Sequence, residues 1–339
     1  MNMKLNRICI LGALLLAASC AKEAKTSSNE QSRQYIEAWV EKNYPQYEKT
    51  ELGAYILEES SSDGAVYDGQ TYVFVNYTVS SMTGQISQTT SAKIAQQLGS
   101  YSKSSYYGPK VWYTANGNLT AGLDEVLKGI RIGQTRKVLI PGWLQTNKRY
   151  DDADGYFYDT DGGTTVIYEL TLEDATNDIT AYEIATIEKF NREQFGQLDS
   201  LSYGFYYKEL KAPDNTDKFP DDTTVYINYT GRTLDGKVFD TTIRDTAKKY
   251  DLYSASAAYK PIKIVWGEKS EDIKMYTSSS SEGSTPITGF QKILWEMKEN
   301  GRSVGIFISD LGYGSSGSGK AITAYAPLLF EIELTQKPE

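Results

Sequence analysis

Two amphipathic segments divide the chain into halves that repeat one succession of elements. The first segment has apolar residues at helical spacing and stops before Pro45, and the second runs from Ala181 to about Gln197 with the same periodicity. The apolar stripes are formed by Tyr35, Ile36, Trp39 and Val40 in the first segment and by Ile184, Ile187, Phe190 and Phe195 in the second. We therefore predict one helix at the start of each half.

Strand patterns follow each helix in the same order. VFVNYTVSSMTGQISQTT begins at Val73 and VYINYTGRTLDGKVFDTT begins at Val225, so the two align without a gap at an offset of 152 residues. Each half continues with a short helical segment, a glycine turn and a strand, and ends in an alternating strand. The pattern predicts an α+β fold of two tandem domains, each an antiparallel β-sheet wrapped on a short helix and each preceded by an extra N-terminal helix. The predicted domains are residues 32–176 and 177–339.

The first residues of the chain have the pattern of an export signal. Lys4 and Arg7 precede an apolar run that is too short for a permanent membrane span, and small residues lead to Cys20. Because this resembles a bacterial lipoprotein signal, we predict a leader over residues 1–19, lipidation of Cys20 and a flexible tether over residues 20–31. The expected location is the cell envelope, lipid-anchored on the periplasmic face or the outer-membrane surface.

Composition excludes several kinds of site. The chain has no histidine, which rules out His-based zinc sites, Ser-His-Asp triads and histidine general bases. Cys9 lies in the predicted leader and Cys20 would carry lipid, so no disulfide or thiolate nucleophile is left. The net charge is −9 with no basic face, so no nucleic-acid partner is expected. We also expect no cofactor, no metal and a monomer.

Five motifs of the second half resemble those of the FKBP-type peptidyl-prolyl isomerases. They are INYTG, GKVFDTT, PITGFQKILWEM, DLGYGSSG and LLFEIEL, in that order between Val225 and Gln336. The tandem arrangement on a lipoprotein is similar to that of such proteins in Bacteroidetes. The resemblance implies catalysed rotation of Xaa-Pro bonds, and hence proline-containing polypeptides as partners. This chemistry needs an apolar pocket and placed hydrogen-bond donors rather than a nucleophile, which agrees with the missing histidine.

The resemblance assigns the pocket of the second half residue by residue. Asp240 would offer an acceptor at the rim, Ile287 its backbone N–H to the substrate carbonyl, and Tyr313 a hydroxyl pointing inward. Phe290 stands where the family has Trp, and Ile262 replaces a usual aromatic residue. The implied catalytic set is Tyr229, Phe239, Asp240, Ile287, Phe290, Tyr313 and Phe330, with Ile262 and Ile322 as substrate-binding residues.

Each of these residues also has a purely structural interpretation. Tyr229 and Phe330 alternate in strands and Phe290 starts a helix, where they would be core in any such sheet. Asp240 could cap a turn, and Tyr313 could be an ordinary aromatic residue of a loop. The set in its order favours the pocket. The Ser-rich segment GEKSEDIKMYTSSSSEGST before the helix is expected to be a mobile flap or a disordered insertion.

The first half keeps the framework but not the pocket residues. Ser87 and Gln88 replace Phe239 and Asp240, Leu123 replaces the aromatic floor, and Thr120 stands at the position of Ile287. We therefore predict that isomerase activity belongs to the second half alone. The alternative is a non-catalytic lipoprotein that binds a protein or glycan partner through tyrosine-rich loops.

An acidic segment of the first half also allows a calcium site. With Gly155 at the glycine position of a calcium loop, Asp152, Asp154 and Asp161 fall at ligand positions, but the first ligand position would be Tyr150. A solvated acidic loop is therefore the preferred interpretation.

Overall fold

The computed structural model describes residues 28–160, 162–196, 198–277 and 282–338. The leader predicted over residues 1–19 and the lipidation residue Cys20 lie outside the described residues. The α-helices are α1 (Ser28–Asn43), α2 (Ala92–Gln97), α3 (Ala121–Leu127), α4 (Ala153–Asp159), α5 (Ile179–Phe195), α6 (Arg244–Lys249) and α7 (Thr288–Glu296).

Fifteen strands in the described residues form two sheets, one in each half. The strands of the first half are β1 (Glu48–Lys49), β2 (Tyr55–Glu59), β3 (Tyr72–Ser80), β4 (Ile86–Thr89), β5 (Lys110–Tyr113), β6 (Thr135–Ile140) and β7 (Val166–Thr176). Those of the second half are β8 (Asp199–Ser202), β9 (Phe205–Lys211), β10 (Thr224–Thr233), β11 (Val238–Thr241), β12 (Ile262–Val265), β13 (Lys274–Tyr276), β14 (Arg302–Phe307) and β15 (Leu328–Thr335).

The two sheets have the same topology, and every strand pair is antiparallel. The order is β1-β2-β6-β7-β3-β4 with β5 paired to β3 in the first sheet, and β13-β12-β10-β15-β14-β9-β8 with β11 paired to β10 in the second. Only β13 of the second sheet has no counterpart among the described strands of the first. The repeat seen in the sequence is therefore a repeat of strand order, with mixed helix and antiparallel sheet in each half.

Helices cover both faces of the second sheet. From α7, Ile293 and Leu294 pack in one core cluster with Phe330 and Ile332 of β15. On the other face, Ile187 of α5 packs with Val304 and Ile306 of β14 in a second cluster. In the first half, Ile36 and Val40 of α1 join the same core as α3. The apolar stripes read from the sequence are thus the faces by which α1 and α5 pack on the sheets, except for Tyr35, which is exposed.

Two predicted flexible segments contain regular structure. Helix α1 begins at Ser28, so residues 28–31 are helix rather than tether; Asn29 is buried, and its amide donates to the carbonyls of Phe157 and Thr160. The flap segment includes β13, and Ile273 just before it is fully buried. A buried, hydrogen-bonded Asn29 explains the first difference, and the buried Ile273 explains the second. Residues 278–281 of the flap lie outside the described part.

The acidic segment is a helix rather than a calcium-binding loop. Asp152 is the N-cap of α4, and its carboxylate accepts a hydrogen bond from the N–H of Gly155 at 2.9 Å. Gly155 therefore lies inside the helix and cannot form the sharp turn of a calcium loop. In the described part of the chain, no group of three or more His, Cys, Asp or Glu side chains could hold a metal ion.

Contacts between the halves involve the start of α5 and a loop of the second half. The ring of Phe74 on β3 stacks on Tyr182 of α5 with 4.3 Å between centroids. Tyr72 meets Tyr325 edge to face at 5.3 Å, and the N–H of Tyr106 donates to the carbonyl of Lys320 at 2.7 Å.

None of the described helices has the length and apolarity needed to cross a membrane.

Candidate active site

A concave pocket of about 380 Å³ lies between β10, β11, the start of α7 and the loop after β14. Its floor is aromatic: Phe290 and Phe330 are buried, and their ring centroids are 5.1 Å apart at 86°. Tyr229 stands edge to face against Phe290 at 5.3 Å, and Phe239 against Phe330 at 5.5 Å. Such edge-to-face packing leaves ring faces and edges exposed to the cavity, which suits a small apolar ring as ligand.

Tyr229 and Asp240 form the polar side of the pocket. The Tyr229 hydroxyl donates to Asp240 Oδ2 at 2.6 Å, and the side chain of Asp240 reaches solvent. Burial, and next the nearby carboxylate of Asp240, raise the pKa of Tyr229 well above its ordinary value. The phenol therefore remains a proton donor at neutral pH and holds the carboxylate at the rim.

Two glycines make room for the aromatic floor. Phe330 on β15 pairs with Gly231 of β10 on one side and with Gly305 of β14 on the other. A Cβ at Gly231 would lie 2.6 Å from the Phe239 ring and 2.7 Å from the Phe330 ring, and a Cβ at Gly305 would lie 2.2 Å from Ile293. Because such distances are shorter than real carbon contacts, any larger residue would displace a ring or α7.

The start of α7 brings a backbone donor to the pocket. Ile287 is the N-cap of α7 with extended backbone (φ −60°, ψ 149°), directly after the buried Pro286. In the part of the chain that the structure describes, the N–H of Ile287 has no hydrogen-bond acceptor. A substrate carbonyl at this edge of the pocket could accept that hydrogen bond.

Tyr313 lies on the loop between β14 and β15 and is 36% exposed. Burial of part of the ring, followed by the charge of Asp240, raises the pKa of Tyr313. Further along this loop, Ser318 and Ile322 pair through two backbone hydrogen bonds, and both line the pocket. This closed turn forms the far wall of the cavity.

The structure brings together eight of the nine residues proposed from the sequence. The seven catalytic candidates and Ile322 line the pocket. Ile262 does not: β12 pairs with the first part of β10, opposite Ile227, so Ile262 lines a neighbouring cavity instead. Sequence reasoning missed Met275, Thr285, Pro286, Ser318 and Ala321, which also line the pocket. Pro286, next to Ile287 in the quoted motif, was the one visible signal among them.

In the first half, a tryptophan packs against the equivalent aromatic residues. Tyr77 and Tyr168 correspond to Tyr229 and Phe330, and Trp112 lies 5.3 Å from the first ring and 6.4 Å from the second. Its counterpart in the second half is the smaller Ile264. Thr120, which stands at the position of Ile287, uses its hydroxyl to cap α3.

The sequence of the second half matches one known family. A sequence model described as FKBP-type peptidyl-prolyl cis-trans isomerase matches residues 216–335, which include every residue that lines the pocket. This part of the chain is thus similar to the FKBP-type family. The segment of the match begins just before β10 and ends at the last residue of β15.

Curated relatives carry the same family name. The chain is 25% identical over 222 residues to peptidyl-prolyl cis-trans isomerase FKBP9 of Rattus norvegicus and to that of Mus musculus. The alignment includes 66% of this chain but only 29% of each relative. The chain thus spans less than a third of these FKBP-type relatives.

Solved structures also align with parts of the chain. FkpA from Escherichia coli is 22% identical with a TM-score of 0.32, and covers 46% of this chain and 57% of its own. A peptidyl-prolyl cis-trans isomerase from Pseudomonas syringae is 24% identical with a TM-score of 0.31, and covers 48% and 96%. The three FKBP domains of wheat FKBP73 are 14% identical with a TM-score of 0.29, and cover 84% and 94%.

Proposed function

We propose that the chain is a lipid-anchored peptidyl-prolyl cis-trans isomerase that assists the folding of exported proteins, with its activity in the second half. The observation that carries the proposal is the aromatic pocket lined by Tyr229, Phe239, Phe290 and Phe330, with the Ile287 N–H at its edge, inside the segment that matches the family. The substrates would be proline-containing polypeptides.

The geometry suggests how the pocket would act on an Xaa-Pro bond. Rotation passes through a twisted amide that has lost its resonance, over a barrier of about 18–20 kcal/mol. An aromatic floor would grip the proline ring and exclude water from the amide, which favours the less polar twisted form. The Ile287 N–H would hold the substrate carbonyl, while the Asp240 carboxylate, fixed by Tyr229, would lie beside the rotating group. No covalent step is required.

The anchor and the location rest on the N-terminal sequence. Small residues before Cys20 support lipidation at that thiol, with the protein held on the periplasmic face or the outer-membrane surface. An acidic monomer on a lipid tether would meet unfolded exported chains there.

A protease-coupled isomerisation assay on the full chain tests the proposal. With several Xaa-Pro tetrapeptides, we expect a rate above that of buffer, lost in Asp240→Ala and reduced in Tyr313→Phe. Gln88→Ala, at the equivalent position of the first half, is the matched control and should keep the rate.

Three results would count against parts of the proposal. No rate above buffer with any peptide would leave only the non-catalytic binding role for a protein or glycan partner. A rate unchanged by Asp240→Ala would reject the site assignment. A rate that persists when the second-half pocket is destroyed would show activity in the first half.

A further inference from the structure

A second cavity of about 570 Å³ opens directly beside the proline pocket. It shares Tyr229, Phe239 and Asp240 with that pocket and continues away from it between β11, β12 and the segment that connects them. We call it the side groove; its further walls include Ala247, Leu252, Ala258, Tyr259, Ile262 and Tyr276. A chain bound across Asp240 would therefore have room on both sides of this residue.

A well-defined loop forms the outer wall of the side groove. The rings of Tyr253 and Tyr259 stack with 5.5 Å between centroids at 18°. The Tyr259 hydroxyl accepts from the N–H of Ser254 at 2.9 Å and donates to the carbonyl of Leu252 at 3.1 Å. The N–H of Ala258, at the centre of this wall, has no acceptor among the described residues. A backbone donor without an acceptor among the described residues thus belongs to a residue that lines the cavity.

The first half contains the same loop at the 152-residue offset. Tyr101 and Tyr107 stack at 5.2 Å and 16°, and the Tyr107 hydroxyl accepts from the N–H of Ser102 at 3.0 Å. The cavity beside it has about 380 Å³ and is lined at positions that correspond to those of the side groove, such as Ser87 with Phe239 and Tyr107 with Tyr259.

In the first half a turn of the second half borders this cavity. Gly319 and Lys320, at the tip of the 318–322 turn, contribute to its lining. The N–H of Tyr106, which is the counterpart of Ala258, donates to the main-chain carbonyl of Lys320 at 2.7 Å. The Lys237 ammonium donates to the carbonyl of Ser105 in the same loop. In the first half, this loop therefore donates a hydrogen bond to a main-chain carbonyl of another segment.

We infer that the side groove binds the polypeptide that flanks the prolyl bond of a substrate, with the Ala258 N–H donating to a substrate main-chain carbonyl. The inference rests on the proposed function and adds a substrate class, namely unfolded chains longer than a tetrapeptide. Among the described residues that line the groove, only Asp240 and Lys260 carry charge, so recognition is through main chain rather than through charged side chains.

Paired peptides on the full chain test the inference. One peptide has four residues with a central Xaa-Pro bond, and the other has the same core within roughly twelve extended residues, which reach well beyond the pocket. Ala258→Trp fills the groove and Ala258→Pro removes the donor. Ala255→Trp is the matched control, because Ala255 is exposed on the same loop and is not part of the groove lining.

We expect kcat/KM for the long peptide, divided by that for the short peptide, to fall about threefold to tenfold in both Ala258 variants and to remain unchanged in the control. An unchanged ratio in Ala258→Trp would overturn the inference. If the wild type isomerises neither peptide, the proposed function fails instead. The dissociation constant of the labelled long peptide then replaces the ratio: weaker binding in Ala258→Trp supports the groove, and equal binding overturns it.

Discussion

At the scale of single residues, the pocket depends on glycines as much as on the aromatic residues that line it. Phe330 lies between two glycines, Gly231 and Gly305, whereas its counterpart Tyr168 lies between Val79 and Val138. The first half has Val79 and Ser87 at the positions that Gly231 and Phe239 take in the second half. The second half needs a glycine at position 231 because the Phe239 ring fills the space that a side chain there would occupy.

We predict that Gly231→Val lowers isomerase kcat/KM at least about tenfold and destabilises the protein by about 1–3 kcal/mol through overpacking. The Phe239 ring would have to leave the pocket. The reciprocal change Val79→Gly in the first half is the control, and it should cost stability without affecting the rate. A wild-type rate in Gly231→Val would contradict this account of the floor.

A second prediction concerns the hydroxyl of Tyr229. Because burial raises the pKa of this phenol, its hydrogen bond to Asp240 persists over about pH 6–9, and wild-type kcat/KM should be flat in that range. Tyr229→Phe should lower kcat/KM several-fold and stability by about 1 kcal/mol. Tyr77→Phe, at the equivalent first-half position, should change neither the rate nor its pH profile; an equal loss there would remove the special role of Tyr229.

At the scale of elements, α5 is tied to the second sheet by a buried carboxyl group. Glu183 is 3% exposed and accepts from the N–H of Ser309 at 2.6 Å and from its hydroxyl at 2.7 Å. Burial raises the pKa of Glu183 to about 7 against the lowering effect of these hydrogen bonds, and the charge of Asp310 adds to the rise. Ser309 opens the loop that later carries Tyr313, so the carboxyl lies beneath one wall of the pocket.

This raised pKa predicts the direction of a pH effect on stability. Below the ordinary pKa of 4.5, Glu183 is protonated in both the folded and the unfolded state. As pH rises from there through about 7, the unfolded state ionises more easily and the folded state loses stability.

Glu183→Gln should therefore gain about 1–3 kcal/mol of unfolding free energy relative to wild type between pH 5 and pH 8. Denaturant unfolding at the two pH values measures it. Glu193→Gln, at an exposed position of the same helix, is the control; an equal pH response in both variants would mean that burial of Glu183 is not the cause.

Much of this architecture can be predicted from the sequence, and the elements that could not be predicted have physical reasons. Amphipathic stripes and the 152-residue repeat predicted α1, α5 and matched strand order, because burial of one face enforces the pattern. The five motifs contain seven of the eight predicted residues that line the pocket, and Ile322 lies outside them. By contrast, β13 and α4 lie in polar segments with few buried residues, such as Ile273 and Tyr156, and these show no regular hydrophobic spacing. The position of Ile262 depends on the register of β12 against β10, which the composition does not encode.

At the scale of the whole molecule, aromatic contacts join the halves. Phe74 and Tyr182 border a cavity of about 250 Å³ at the junction, to which residues 323–327 of the second half also contribute. The same stretch includes Tyr325, whose ring meets Tyr72 of the first half. The first half thus contacts the loop that leads from the pocket wall to β15.

We expect Phe74→Ala to lower the thermal transition of both halves, although Phe74 belongs to the first. Its ring stacks on α5, so its loss weakens the junction by about 1 kcal/mol beyond the lost burial. Tyr44→Ala is the control, because Tyr44 packs on Trp39 within the first half and should affect that half alone. Calorimetry of the full chain measures both; a second-half transition that stays in place in Phe74→Ala would show independent halves.

The hydrogen bond from Tyr106 to Lys320 has a consequence for how the duplicated chain can change. The 318–322 turn is at once a wall of the second-half pocket and the piece held by the first half. The first half, which lacks counterparts of Phe239 and Asp240, therefore contacts a wall of the second-half pocket through its own loop. We expect a fragment beginning at residue 177, or a chain with its halves exchanged, to present an altered pocket wall without any change in a pocket residue.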